Sequence, residues 1–358
     1  MRGAHLSLRA VTASAGGVQL GPVDLDLPAG AYGCLLGPAG AGKTLWLRAV
    51  AGLAASAGTM LADGVDLGGI AVRRRGFALL TRPSPHAGLG QVGSWLRFSQ
   101  QSRKTAPGRR AQVRTALLTA FELDETAELA RLDAQGRLRA RLAAALAGEP
   151  RLLLLDDPLA GCTDAAPAIE VLRAVMRRGV TVLHATPRRD EAFALADRLV
   201  LLEAGHVLQA GTAAALYDRP DSLTIARRLG PANVLPGRIV AVENDVAVVR
   251  LDCGPVIEAD PPGGKATADA PCQVLLRPER VSVSPLPPAE LGSGAIAAVV
   301  REVTHMGDAI RLVLAIGTDA DIVVMRSAAI GARGLEPGRT VSVAWQSRHA
   351  LTFVGDAR

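Results

Sequence analysis

Gly37-Pro38-Ala39-Gly40-Ala41-Gly42-Lys43-Thr44 is the stretch that decides the fold. It fits G-x-x-x-x-G-K-[ST], the pattern of a phosphate-binding loop. Glycines let successive backbone N–H groups turn toward phosphate oxygens, and the helix that follows adds the positive end of its dipole. Lys43 is placed to reach β- and γ-phosphates, and the Thr44 hydroxyl to hold a magnesium ion. Residues 31–36 read as a buried strand entering the loop, and residues 45–53 as the helix leaving it. The plain alternative is a Gly/Ala-rich turn in a chain rich in both. The strand and helix on either side argue against it.

Working outward, the next decisive run is Arg151-Leu152-Leu153-Leu154-Leu155-Asp156-Asp157-Pro158. A wholly apolar run ending in acid reads as a buried parallel strand whose carboxyl end presents carboxylates. A phosphate loop followed by such a strand about a hundred residues later is the pairing that holds a magnesium nucleotide. Asp156 is expected to bind the ion. Mg and a nucleoside triphosphate are therefore the expected cofactors.

Around these two runs the chain alternates strand and helix. Residues 6–11, 18–27, 58–64 and 76–80 read as short strands. Residues 86–150 are Ala-, Leu- and Arg-rich with helical spacing, notably 111–121 and 136–146, and Asp133 is a candidate N-cap of the latter. A helix over 166–178, a strand over 180–183, a helix over 191–197 and a hairpin over 198–203 and 206–210 follow. This argues an α/β class with a mostly parallel sheet. From about residue 231 the pattern becomes short alternating strands broken by Gly and Pro. Gly237-Arg238-Ile239-Val240-Ala241-Val242 echoes Gly294-Ala295-Ile296-Ala297-Ala298-Val299, so two related β units are expected there, as small barrels joined near residues 285–288. The expected domains are 1–230, with a helical subdomain over about 86–150, and a β-rich 231–358.

Composition narrows the classes. With 358 residues and 49% hydrophobic content, the chain can bury two cores. The formal charge of +6 comes mostly from arginine, in short dispersed clusters such as Arg73-Arg74-Arg75, which reads as a solvated surface. Cys34, Cys162, Cys253 and Cys272 have neither metal-ligand spacing nor a disulfide framework, which suits a reducing compartment. No apolar run approaches the roughly 18–20 residues that span a bilayer. No secretory signal pattern stands at the N-terminus.

The chain resembles the ATP-binding subunit of an ABC importer over nearly its full length. The nearest likeness is to the group serving polyamines, ferric iron and sugars, whose cassette carries an OB-like (TOBE) tail. The phosphate loop, Ala51-Gly52-Leu53, Asp156-Asp157-Pro158-Leu159, Glu191-Ala192, Leu195-Ala196-Asp197-Arg198 and Gly205-His206-Val207 carry the likeness. The tail adds Gly230-Pro231-Ala232-Asn233 and Arg277-Pro278-Glu279. The resemblance implies a P-loop cassette with a helical subdomain, followed by an all-β OB-like domain. It implies transmembrane permease subunits as partners, a second cassette in a homo- or heterodimer, and a solute-binding protein acting indirectly. It also implies a cytoplasmic chain, peripheral on the inner face of the plasma membrane.

The same resemblance assigns roles, and this sequence departs from several. An aromatic that stacks on adenine should fall near Ala15, within Ser14-Ala15-Gly16-Gly17. Leu45 stands where the family has a second hydroxyl after the lysine. A glutamine joining chemistry to the permease should fall at Leu80 or Thr81. The signature Leu-Ser-Gly-Gly-Gln becomes Leu132-Asp133-Ala134-Gln135-Gly136. The catalytic glutamate is Asp157, and the γ-phosphate histidine is Pro187, with His184 three residues earlier inside a strand. Beyond Leu159 the loop facing the partner reads Ala160-Gly161-Cys162-Thr163-Asp164. Asp157 keeps the carboxylate one methylene short, and misplacing a group by about 1 Å can cost on the order of a hundredfold in rate. Pro187 has no hydrogen to donate.

Three functions follow. The leading one is an importer subunit that couples ATP binding and hydrolysis to solute uptake. The second is a pseudo-ATPase that binds Mg-ATP, turns over slowly and acts as a regulatory or scaffolding cassette. The third is a P-loop protein whose OB-like tail binds nucleic acid. It is disfavoured because Trp345 and Phe353 are the only aromatics after residue 231 and stacking platforms need more.

Overall fold

The computed structural model describes residues 2–15, 18–82, 90–103, 105–162, 164–263, 267–285 and 295–354. Gly16, Gly17, Thr163, Gly294 and the linker after residue 285 lie outside the described residues. In chain order the elements are β1 (Leu6–Ala15), β2 (Val18–Leu27), β3 (Tyr32–Leu36), α1 (Lys43–Ala51), β4 (Ala55–Ala62), β5 (Val65–Asp66), β6 (Phe77–Leu80), α2 (Val92–Ser102), α3 (Pro107–Ala120), α4 (Ala134–Ala147), β7 (Leu152–Asp156), α5 (Ala165–Met176), β8 (Thr181–Thr186), α6 (Arg189–Leu195), β9 (Arg198–Glu203), β10 (His206–Gly211), α7 (Ala213–Asp218) and α8 (Leu223–Leu229). Then, among the described residues and apart from single 3₁₀ turns, come strands: β11 (Asn233–Glu243), β12 (Val246–Leu251), β13 (Val256–Ala259), β14 (Pro271–Leu276), β15 (Ser282–Ser284), β16 (Ile296–His305), β17 (Ala309–Ile316), β18 (Ala320–Ser327), β19 (Thr340–Ala344) and β20 (Ala350–Val354). Two compact units result, Met1–Ala214 and Ala215–Arg358.

The first unit has two sheets. One is antiparallel, in the order β2-β1-β4-β5. The other runs β10-β9-β3-β8-β7-β6, and all its neighbours are parallel except the β9–β10 hairpin. The fully apolar runs of β3 and β7 are buried at every position, as strands covered on both faces must be. Helix α1 packs on both sheets: Trp46, Leu47 and Val50 share one core with Leu6 and Leu27 of the antiparallel sheet and Leu154 and Leu183 of the parallel one. Burying each large side chain contributes roughly 1.5–3 kcal/mol. That burial fixes where the first turn of α1, Lys43 and Thr44, can stand. Helices α2, α3 and α4 pack together.

The second unit holds two five-stranded antiparallel sheets, β13-β12-β11-β14-β20 and β15-β19-β16-β17-β18, around one core. The internal repeat is visible in the pairing. β11 pairs with β12 and β14 as β16 pairs with β17 and β19. The edge strands are exchanged: β15 joins the second sheet beside β19, and β20 returns to the first beside β14. Neither repeat completes its sheet alone. Trp345 packs against the shared core and Phe353 against Leu223, Ala226 and Leu275, which leaves the tail without an aromatic stacking platform.

The compact boundary at Ala214 falls earlier than residue 230 because α8 belongs with the strands. Leu223 and Ala226 are buried against Leu275 and Leu351. The Arg277 guanidinium donates 3.0 Å hydrogen bonds to the carbonyls of Ala226, Gly230 and Pro231 and lies 4.0 Å over the Tyr217 ring. Thus Gly230-Pro231 and Arg277-Pro278-Glu279, distant in sequence, form one junction. α7 and α8, only six and seven residues long, are too short to show a helical period in the sequence.

Candidate functional site

The site forms at the carboxyl ends of the parallel strands, where α/β sheets bind ligands. The chain leaves β3 at Leu36 and turns through residues 37–42 into α1. Gly40 and Gly42 have φ of 81° and 90°, the left-handed region. Gly37 is needed for a different reason: a Cβ there would stand 2.3 Å from the Leu202 carbonyl oxygen. Lys43 Nζ donates to the carbonyls of Gly37 and Pro38, both at 2.7 Å. Burial lowers the pKa of its ammonium; Asp157 and Asp156 oppose this, and Arg82 adds to it.

Thr44 Oγ1 donates to both carboxylate oxygens of Asp156, at 2.9 and 3.0 Å. The structure thus brings together Lys43, Thr44 and Asp156, as expected from the two motifs. A hydroxyl beside a carboxylate is a hard oxygen pair, suited to magnesium, which takes few protein ligands and fills its shell with water and phosphate. The glycine turns leave no side chains where phosphate oxygens would approach the loop backbone. The residues present therefore fit both magnesium and a phosphate chain. Among the described residues no group of three or more His, Cys, Asp or Glu could hold a metal.

Asp157 follows at the end of β7, buried, with φ of 47°, a conformation uncommon outside glycine. Its N–H donates to the Ala185 carbonyl at 2.8 Å, which holds that geometry. Its Oδ2 lies 3.0 Å from Arg82 Nη2. Sequence reasoning missed Arg82. The expected glutamine positions, Leu80 and Thr81, lie at the end of β6, with Arg82 just beyond them. No local signal marks Arg82; it becomes visible only through pairing, since Leu80 is opposite Leu155.

The remaining candidates fall at the rim or in the core. Asp133 is the N-cap of α4, its Oδ1 accepting from Gly136 N at 2.6 Å, so its carboxylate serves its own helix. Pro187 is exposed beyond β8. His184 lies within β8, fully buried. Its Nδ1 is 3.1 Å from the Tyr32 hydroxyl, and burial lowers its pKa to about 3. It is therefore neutral and cannot replace a γ-phosphate histidine. Glu191, also buried, accepts from Thr186 Oγ1 at 2.6 Å and lies 3.0 Å from Arg188 Nε. Burial raises its pKa, against the bond from Thr186 and the charge of Arg188. Ala15, the expected stacking position, is exposed in β1.

Comparison with known proteins agrees with this geometry. Residues 20–160 match the ABC transporter family, and residues 274–353 match the TOBE domain. The spermidine/putrescine import ATP-binding protein of Rubrobacter xylanophilus is 31% identical over 348 residues, 93% of this chain and 89% of that protein. The chain belongs to the ABC transporter family. The Fe(3+) ions import ATP-binding protein of Streptomyces avermitilis is 35% identical over 78% of this chain and 80% of its own length. The sulfate/thiosulfate import ATP-binding protein of Chromobacterium violaceum is 35% identical over 81% and 80%. Among solved structures, an ABC transporter cassette in its ADP conformation matches with a TM-score of 0.54 at 17% identity, over 62% of this chain and 98% of that one, which shows the fold. These relatives lend no support to the pseudo-ATPase reading. Among the described residues no helix is long and apolar enough to cross a membrane.

Proposed function

We propose that this chain is the ATP-binding subunit of an importer and couples binding and hydrolysis of Mg-ATP to uptake of a small solute. The observation that carries this reading is the placement of Thr44 Oγ1 on both oxygens of Asp156, beside Lys43 at the mouth of a glycine-turned loop. Residues 37–44 bind the phosphate chain, with Lys43 on its outer phosphates. Thr44 and Asp156 hold magnesium, which when bound neutralises charge on the β- and γ-oxygens. Asp157 faces the same space and accepts a hydrogen bond from the attacking water. Its partners are membrane-embedded permease subunits and a second ATP-binding cassette, and the chain works on the cytoplasmic face of the plasma membrane. The relatives are named for spermidine/putrescine, ferric ions and sulfate/thiosulfate. The solute of this chain is set by its partners.

The test is nucleotide binding and phosphate release by the purified chain, with and without magnesium, beside Lys43→Ala. Magnesium-dependent ATP binding that Lys43→Ala abolishes supports the reading. Equal binding by both proteins refutes it.

A further inference from the structure

Arg82 carries a function that no motif assigns. β6 and β7 are parallel with Leu80 opposite Leu155, so two residues further on Arg82 and Asp157 leave adjacent strand ends at the same level. Strands so paired lie about 4.8 Å apart, close enough for the side chains to meet, and Arg82 Nη2 is 3.0 Å from Asp157 Oδ2. The backbone under Arg82 is anchored. The buried Arg141 of α4 donates Nη2 to the carbonyl of Thr81. Asp157 follows Asp156 directly, and Asp156 accepts from Thr44 in the first turn of α1, so the Arg82–Asp157 pair stands beside the phosphate loop.

As a structural staple the pair would be weak. The Arg82 side chain is 58% exposed, and ion pairs that open to solvent contribute little to stability. A guanidinium, however, has five N–H donors in a planar fork and can serve two oxyanions together. A terminal phosphate seated on Lys43 would otherwise face the Asp157 carboxylate and be repelled by it.

We propose that Arg82 contacts the γ-phosphate, bridging it to Asp157, and so makes the site discriminate nucleoside triphosphate from diphosphate. This inference rests on the Mg-ATP reading above.

The experiment measures affinities of the full chain for Mg-ADP and for a magnesium complex of an ATP analogue with a β–γ imido bridge, which is not hydrolysed. Arg82→Ala is expected to lose roughly 10- to 100-fold in triphosphate affinity, the range of one charge-assisted hydrogen bond, with Mg-ADP affinity within about twofold. Arg82→Lys should recover part of the loss. The double variant Arg82→Ala/Asp157→Asn separates contact from charge compensation: with the repelling carboxylate neutralised it should recover only a minor part of the loss. An unchanged triphosphate-to-diphosphate ratio in Arg82→Ala overturns the inference. So does full recovery in the double variant, which would reduce Arg82 to a neutraliser of Asp157. In either case, loss of binding in Lys43→Ala leaves the Mg-ATP reading standing. Absence of nucleotide binding by the unaltered chain overturns both.

Discussion

The Thr44 hydroxyl donates to both carboxylate oxygens of Asp156, although 112 residues separate them in sequence. The bond joins the first turn of α1 to the end of β7 and sets the two proposed magnesium ligands side by side. Asp156→Asn keeps the shape but removes the charge that holds a dication. Magnesium-dependent ATP affinity is expected to fall about 10- to 100-fold, with little change when the metal is chelated. Titration of a fluorescent ATP analogue, with magnesium and with EDTA, decides it. An undiminished magnesium effect would remove Asp156 from the site.

Asp157 and Pro187 are expected to limit the rate of the proposed hydrolysis. Asp157 is one methylene short of the family's glutamate, and Pro187 offers no donor to a developing charge. The paired change Asp157→Glu and Pro187→His is expected to raise steady-state phosphate release about 10- to 100-fold. The two gains should not add simply, because such groups act as a unit. No increase would place the limit elsewhere, at the 132–136 loop or in pairing of cassettes.

His184 makes stability depend on acid. Its folded pKa is about 3, against an ordinary value near 6.5. Between these values the unfolded chain takes up a proton that the folded chain refuses. Stability therefore falls as pH drops from about 6.5 toward 3, by up to about 1.4 kcal/mol per pH unit. Glu191, with its pKa raised by burial, contributes with the opposite sign, its stability lost as pH rises through its folded pKa. Urea midpoints from pH 7 to 4 should fall less steeply in His184→Gln. Parallel curves would contradict a neutral buried imidazole.

The loop glycines should differ in their tolerance of alanine. At Gly40 an added Cβ meets nothing within 4 Å, so Gly40→Ala bears only the left-handed strain, about 1–2 kcal/mol. At Gly37 it meets the Leu202 carbonyl oxygen at 2.3 Å, a backbone atom that cannot rotate away, and about 3 kcal/mol or more is expected. Chemical denaturation without nucleotide gives the order, and equal losses would contradict the packing of the loop against β9.

The residues of the candidate nucleotide site were legible along the chain because their signals are local. A glycine-rich turn between an apolar strand and a helix specifies residues 37–44 wherever it occurs. Four leucines ending in Asp156 and Asp157 specify a buried strand with carboxylates at its carboxyl end. The alternating pattern after residue 231 likewise revealed two β repeats, since period-two patterning survives without knowledge of partners.

Relations between distant segments were not legible. Arg82 meets Asp157 only because β6 lies beside β7 in one register, and a one-residue slip would turn its side chain to the other face. The exchange of β15 and β20 between the repeats, and the capture of Gly230 and Pro231 carbonyls by Arg277, also depend on three-dimensional pairing. Asp133 lies in the altered signature and at the start of a helix, and the cap geometry gives its carboxylate to the helix. Local sequence carries the groups proposed to bind phosphate and metal. Strand register and side-chain packing, which no single segment contains, choose which other charges stand beside them.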